Sequence, residues 1–245
     1  MHKLAINTLI QFKLMNKNQT KKGLLVMHAS IIFIKRYPFA MLLAVQLLSV
    51  LFYGFMTGSK TSLLIFNCLG LIVPILAVWV VYRSPMANWV GFTLITLSLS
   101  TSLLALLAGQ TQLLVWAHGF ESLLYFYAAA GMVLVMFADD IVTVDELYAV
   151  GATFTLLVWG FTLAYSVCQQ IYPNSLLAAI NPSNPRSWVE LLFMSFSIQS
   201  GTGVGDVIPI SSPARAIASL QIFSSVMYLT IAVSRLVGLT IQYKK

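Results

Sequence analysis

The chain has 245 residues, of which 59% are hydrophobic and only 9% charged; that leaves too little polar surface to coat a soluble globule, so a membrane protein is the starting reading. Its net charge of +7 would suit nucleic acid in a soluble domain, but seven of the fourteen basic residues (Lys3, Lys13, Lys17, Lys21, Lys22, Lys35 and Arg36) precede the first long apolar run, where they mark the cytoplasmic end of a span and favour anionic lipid heads over nucleic acid. Uncharged apolar runs of about 20 residues, enough to cross roughly 30 Å of hydrocarbon as a helix, recur from Pro38 almost to the end, which excludes a barrel of short alternating strands and predicts an all-α integral membrane fold.

Residues 1–36 read as a basic cytoplasmic segment. Within it Gly23 to Ile34 are apolar but too short to span, and Lys21-Lys22 and Lys35-Arg36 bracket them. Two readings stay open there, a helix lying in the membrane interface and a short helix packed on its own domain. No small-residue cleavage pattern closes the run that starts at Pro38, so the segment is expected to be retained.

Six spans are predicted next: Pro38 to Met56, Ser62 to Tyr82, Met86 to Ala108, Leu113 to Phe137, Leu147 to Ile171, and Ala214 to Tyr243. They are separated by Thr57 to Lys60, Arg83 to Pro85, Gly109 to Gln112, the acidic stretch Asp139 to Glu146, and a long segment from Tyr172 to Pro213. Counting basic residues puts both termini in the cytoplasm with Arg83, Lys244 and Lys245, leaves Lys60 as the exception among short loops, and sets the long segment on the outer face of a multi-pass cell-membrane protein. Cys68 and Cys168 both fall inside predicted spans and are expected to be unpaired apolar residues.

The long segment contains Asn181 to Pro209, NPSNPRSWVELLFMSFSIQSGTGVGDVIP. Asn184 followed by Pro185 predicts a helix start, since proline lacks only an amide hydrogen that would be unpaired there. Helix-forming apolar sequence then runs to about Ile198, roughly 21 Å at 1.5 Å per residue, so it dips into the membrane and returns. Gly201-Thr202-Gly203-Val204-Gly205-Asp206 follows. Glycine at every other position lets consecutive carbonyls face one side, and such bare backbone is tolerated at membrane depth only when buried in protein or lining a water-filled path. A ring of these loops would offer stacked carbonyl oxygens to a dehydrated cation, helped by the negative ends of the short helices.

These residues resemble the pore domain of potassium channels, whose filter usually reads Thr-Val-Gly-Tyr-Gly-Asp. Met136 to Tyr148 (MFADDIVTVDELY) and Tyr228 to Leu239 (YLTIAVSRLVGL) resemble a bacterial group of small six-span, potassium-channel-like proteins with one pore loop per chain. The resemblance covers roughly residues 136 to 243; the first four spans match by count and hydropathy alone. It implies a homotetramer with a pore domain over 139–245 behind a four-helix domain over 37–138. Aligned on Asp206, only Gly203, Gly205 and Asp206 keep the usual filter residues, while Gly201, Thr202 and Val204 replace threonine, valine and tyrosine. Ser200 stands just before, where its hydroxyl could partly substitute for the lost one. Gln221 and Ser225 occupy places where the family usually has an acidic residue and a glycine.

Several further residues carry chemistry. His118 and Glu121 share one helical face near the outer end of the fourth span, and two readings are open: a pH-sensing or ion-attracting site, and a hydrated or paired interface residue. That span holds no arginine, which argues against a voltage sensor. Glu190 and Asp206 are candidates for drawing cations to the outer mouth, although Arg186, one turn from Glu190, would make that carboxylate structural by pairing with it. Ser225 and Arg235 are candidates for a hinge or gate, with snorkelling the simpler account of Arg235. Trp159, Trp188, Tyr37 and Tyr243 read as packing or interface anchors. No nucleophile elbow, zinc spacing or Walker loop occurs.

The resulting expectation is a channel, not an enzyme, passing monovalent cations through backbone carbonyls from Ser200 to Gly205. It needs no cofactor beyond the permeant ion, K+ or also Na+, and its partners are its own copies and lipid. A weakly selective pore and a non-conducting accessory protein with a degraded filter are the alternatives.

Overall fold

The computed structural model describes residues 37–55, 72–79, 82, 86–110, 112–138 and 144–242. The expectations for residues 1–36, for Lys60, Cys68, Arg83, Tyr243, Lys244 and Lys245, and for most of the second predicted span lie outside the described residues.

The helices are α1 (Pro38–Gly54), α2 (72–79), α3 (Asn88–Ala108), α4 (Gln112–Met136), α5 (Val144–Ile171), α6 (Trp188–Ser200) and α7 (Ser212–Gln242), with two three-residue strands, β1 (Leu176–Ala178) and β2 (Val207–Pro209). Among the described residues α3, α4, α5 and α7 are long and apolar enough to cross a membrane, whereas α1 has 17 residues, about 25 Å. The all-α expectation holds apart from the strands, which pair antiparallel with Leu177 opposite Ile208. They join the chain just beyond α5 to the chain just before α7, and the end of the bundle that carries them is termed the loop face below.

Local sequence accounts for most helix ends. Proline opens α1 within its first turn, where no amide partner is needed. Gly109, at φ +63°, closes α3 in the left-handed region. Thr93, Thr96 and Thr101 return their hydroxyls to carbonyls one turn back at 2.7–2.8 Å, which satisfies them without water. The start of α5 corrects the sequence reading: Val144, Asp145 and Glu146 belong to the helix and not to the acidic break, because carboxylates suit the positive end of a helix.

Packing fixes the directions. The α1 and α5 helices run parallel, with the Ala40 amide donating to Asp145 Oδ1 at 3.4 Å near their starts and the Tyr53 ring tilted against Trp159 at 5.9 Å further along. The α4 and α5 helices are antiparallel: Ser122 donates to the Gly160 carbonyl at 2.8 Å, and Tyr125, further along α4, packs edge-on to Trp159, earlier on α5, at 6.1 Å. One apolar core joins α1, α2, α4 and α5 through Leu42, Ala77, Tyr125, Met132, Leu156 and Trp159, and a second gathers Phe161, Tyr165, Leu191, Met194 and Ala218 around α6. Thus α5 faces both. Cys168 is buried and unpaired, as expected.

Candidate pore loop

The short helix α6 starts three residues later than Asn184-Pro185 suggests. Its cap is Ser187, whose hydroxyl accepts from the Glu190 amide while the Glu190 carboxylate accepts the Ser187 amide at 2.7 Å, a reciprocal capping box. Arg186, buried beside it, reaches Glu190 at 3.3 Å and donates to the carbonyls of Ile180, Asn181 and Asn184. Burial works against ionisation of Glu190, but the Ser187 hydroxyl and amide and then the Arg186 charge outweigh it and hold the carboxyl below its ordinary range. This carboxylate is therefore engaged in holding the helix start, the structural role that Arg186 suggests in the sequence.

The far end of α6 sits deep in the bundle. Ser225, buried on α7, donates its hydroxyl to the Gln199 carbonyl. Ser225 lies thirteen residues into a 31-residue helix, or about 20 Å from its loop-face end, so the end of α6 is set near the middle of α7. From there the chain climbs to β2 within eight residues.

That climb is the Gly201 to Asp206 stretch. Gly201, Gly203 and Gly205 have φ of +74°, +66° and +154°, while Thr202 and Val204 do not enter the positive region; the alternation expected from the glycine spacing is present. The Ser197 carbonyl gathers the turn, accepting from the Thr202 and Gly203 amides at 3.1 and 3.4 Å and from the Ser200 hydroxyl at 3.2 Å. Ser200 Oγ and Thr202 Oγ1 are 3.0 Å apart. By contrast, among the described residues the carbonyl oxygens of residues 201–205 accept no hydrogen bond, and residues 200–206 are all exposed on the single chain. A Cβ added at Gly201 or Gly203 would meet nothing within 4 Å.

Behind the loop stands a buried polar relay that sequence reading missed. Tyr165 on α5 donates to Gln221 Oε1 at 2.9 Å; Gln221 Nε2 donates to Ser195 Oγ on α6 at 2.8 Å; and Ser195 Oγ donates to the Val158 carbonyl at 2.8 Å. The only local signal is that Gln221 and Ser225 are polar and one helical turn apart in a membrane span, and their partners lie 26 residues away.

The remaining candidates lie apart from the loop. His118 Nδ1 is 3.2 Å from both Ser166 Oγ and Gln170 Nε2 between α4 and α5. Glu121 accepts from the Tyr125 hydroxyl at 2.7 Å, so the two residues have separate partners. Arg235 lies far along α7, 3.9 Å from Glu146 Oε2 in the first turn of α5 and 5.6 Å above the Phe137 ring. Trp159 and Trp188 pack edge-on at 5.8 Å, in accord with their reading as packing residues.

No curated protein matches the chain. A family model described as ion channel matches residues 151–242, from the second turn of α5 through α6 and the glycine loop to the last residue of α7, and it is to an ion-channel domain that this part of the chain is similar.

Proposed function

We propose that four copies of the chain surround a pore that conducts monovalent cations, K+ by preference, through the carbonyl oxygens of Ser200 to Gly205. One observation carries this reading: successive carbonyls with no partner, rooted halfway along an apolar helix. An unpaired backbone carbonyl in hydrocarbon costs several kcal/mol, and a protein- or water-lined axis removes that cost. Oxygens converging from several copies then replace the hydration shell of a cation. In this reading the loop face is extracellular, Asp206 stands at the mouth, both termini are cytoplasmic near anionic lipid, and residues 37–138 form the scaffold.

A second reading, a pore that barely separates K+ from Na+, is favoured by Val204, which is 63% exposed and has no hydroxyl to brace the loop. Reversal potentials of reconstituted protein under opposed K+ and Na+ gradients separate the two: a potential near zero rejects selectivity. Gly203→Val is expected to abolish flux into liposomes. Flux that survives it, or no flux from the native chain, contradicts a pore through this loop.

A further inference from the structure

The Tyr165, Gln221, Ser195 and Val158 relay is directional. The phenol donates to the Gln221 carbonyl oxygen, and the Gln221 amide donates onward to Ser195, at 2.8 Å to Oγ and 3.0 Å to the carbonyl, and toward Gln199 Oε1 at 3.4 Å. Gln221 must accept on one side and donate on the other. A neutral amide does both; an ionised carboxylate can only accept, and an aliphatic side chain can do neither. Tyr165, Ser195, Gln199 and Gln221 are each fully buried and Ser225 nearly so, so a broken link leaves a donor or acceptor stranded with no water to replace it.

Ser225 closes the same assembly one turn further along α7. Its hydroxyl takes the Gln199 carbonyl, one of the last four of α6, which the helix itself leaves unpaired. Gln199 stands two residues before Gly201, where the unpartnered carbonyls begin. Both bonds therefore run from the middle of α7 to the root of the loop, and Gln221 continues to α5.

We infer that Gln221 and Ser225 are positioning residues for ion selectivity: they tie α7 and α5 to the root of the glycine loop and set the placement of its carbonyls. The assignment rests on the pore reading above and adds to it that the loop, to which Val204 brings no hydroxyl, is held from behind by an uncharged amide and hydroxyl. Among the described residues the titratable groups beside the relay are Tyr165, which is part of it, Cys168 on the same helix, and Tyr228 one turn beyond Ser225, whose hydroxyl donates to the Val150 carbonyl; the native tie itself is made of an amide, two serine hydroxyls and a phenol and holds no carboxylate.

The experiment is the K+ to Na+ permeability ratio of the full-length protein in liposomes, taken from reversal potentials between pH 5.5 and 8.5. Ser225→Thr keeps the hydroxyl and is expected to keep the native ratio; Ser225→Val, matched in shape, is expected to lower it roughly fivefold, the factor that one net hydrogen bond is worth. Gln221→Glu supplies a readout that a merely structural role would not move. Its protonated acid can accept from Tyr165 and donate to Ser195, and the carboxylate cannot donate, so its ratio should fall as pH rises while the native ratio stays flat. Equal ratios for Ser225→Thr and Ser225→Val, or a pH-independent Gln221→Glu at the native ratio, overturn the inference and leave the pore intact. A native protein that passes no ions overturns the pore reading and this inference with it.

Discussion

Helices α5 and α7 are similarly long and apolar, yet 61% of an apolar 18-residue stretch of α5 is buried within the chain and only 28% of such a stretch of α7. The difference lies in what surrounds each. Both cores claim α5, with Ala149, Ala152, Leu156, Trp159 and Leu163 on one and Phe161, Tyr165 and Cys168 on the other. The α7 helix touches its own chain along one strip, Ala214, Ala218, Gln221, Ser225, Tyr228 and Ala232, at helical spacing. Leu220, Phe223, Val226 and Val233 stay more than half exposed. A helix that buries one narrow strip, Gln221 and Ser225 included, leaves broad apolar faces open, and in the proposed assembly these are the faces that meet lipid and the other copies.

Matched truncations should sharpen this contrast. The largest loss is expected at Trp159, 1% exposed and ringed by Tyr53, Tyr125 and Trp188: Trp159→Ala should lower unfolding stability in detergent by about 3–5 kcal/mol through the cavity it leaves. The α6 cap comes next. Ser187→Ala should cost about 1 kcal/mol, read by the same unfolding titration. The depressed Glu190 carboxyl adds a pH signature of definite sign: its contribution is complete above the ordinary value of 4.5 and lost as pH falls through the lower folded value, and Glu190→Gln should remove that dependence. Smallest is Phe223→Ala on the exposed side of α7, expected to change single-chain stability by less than about 0.5 kcal/mol while shifting the assembled fraction in size-exclusion runs. A large loss at Phe223 or a negligible one at Trp159 would break the comparison.

Much of this was legible in the sequence. Predicted ends of α3, α4 and α7 lie within about two residues of those observed, because turn residues such as Gly109 interrupt long apolar runs. The acidic break misled because Asp145 and Glu146 look like loop while favouring a helix start. The start of α6 misled because Asn184-Pro185 competes with the Ser187 to Glu190 capping box, a pattern equally present in the sequence. The strands were missed because three residues carry no readable alternation. The glycine loop was found from its spacing, whereas the relay behind it depends on side chains brought together from three helices, which no local pattern encodes.

The central claim is that unpaired carbonyls from several chains converge on one axis within the bilayer. Imaging of the purified protein in lipid nanodiscs tests it most directly. The account predicts four chains around an axis with residues 200–205 facing it and ion density between them; a monomer, or loops turned away from any symmetry axis, would contradict it.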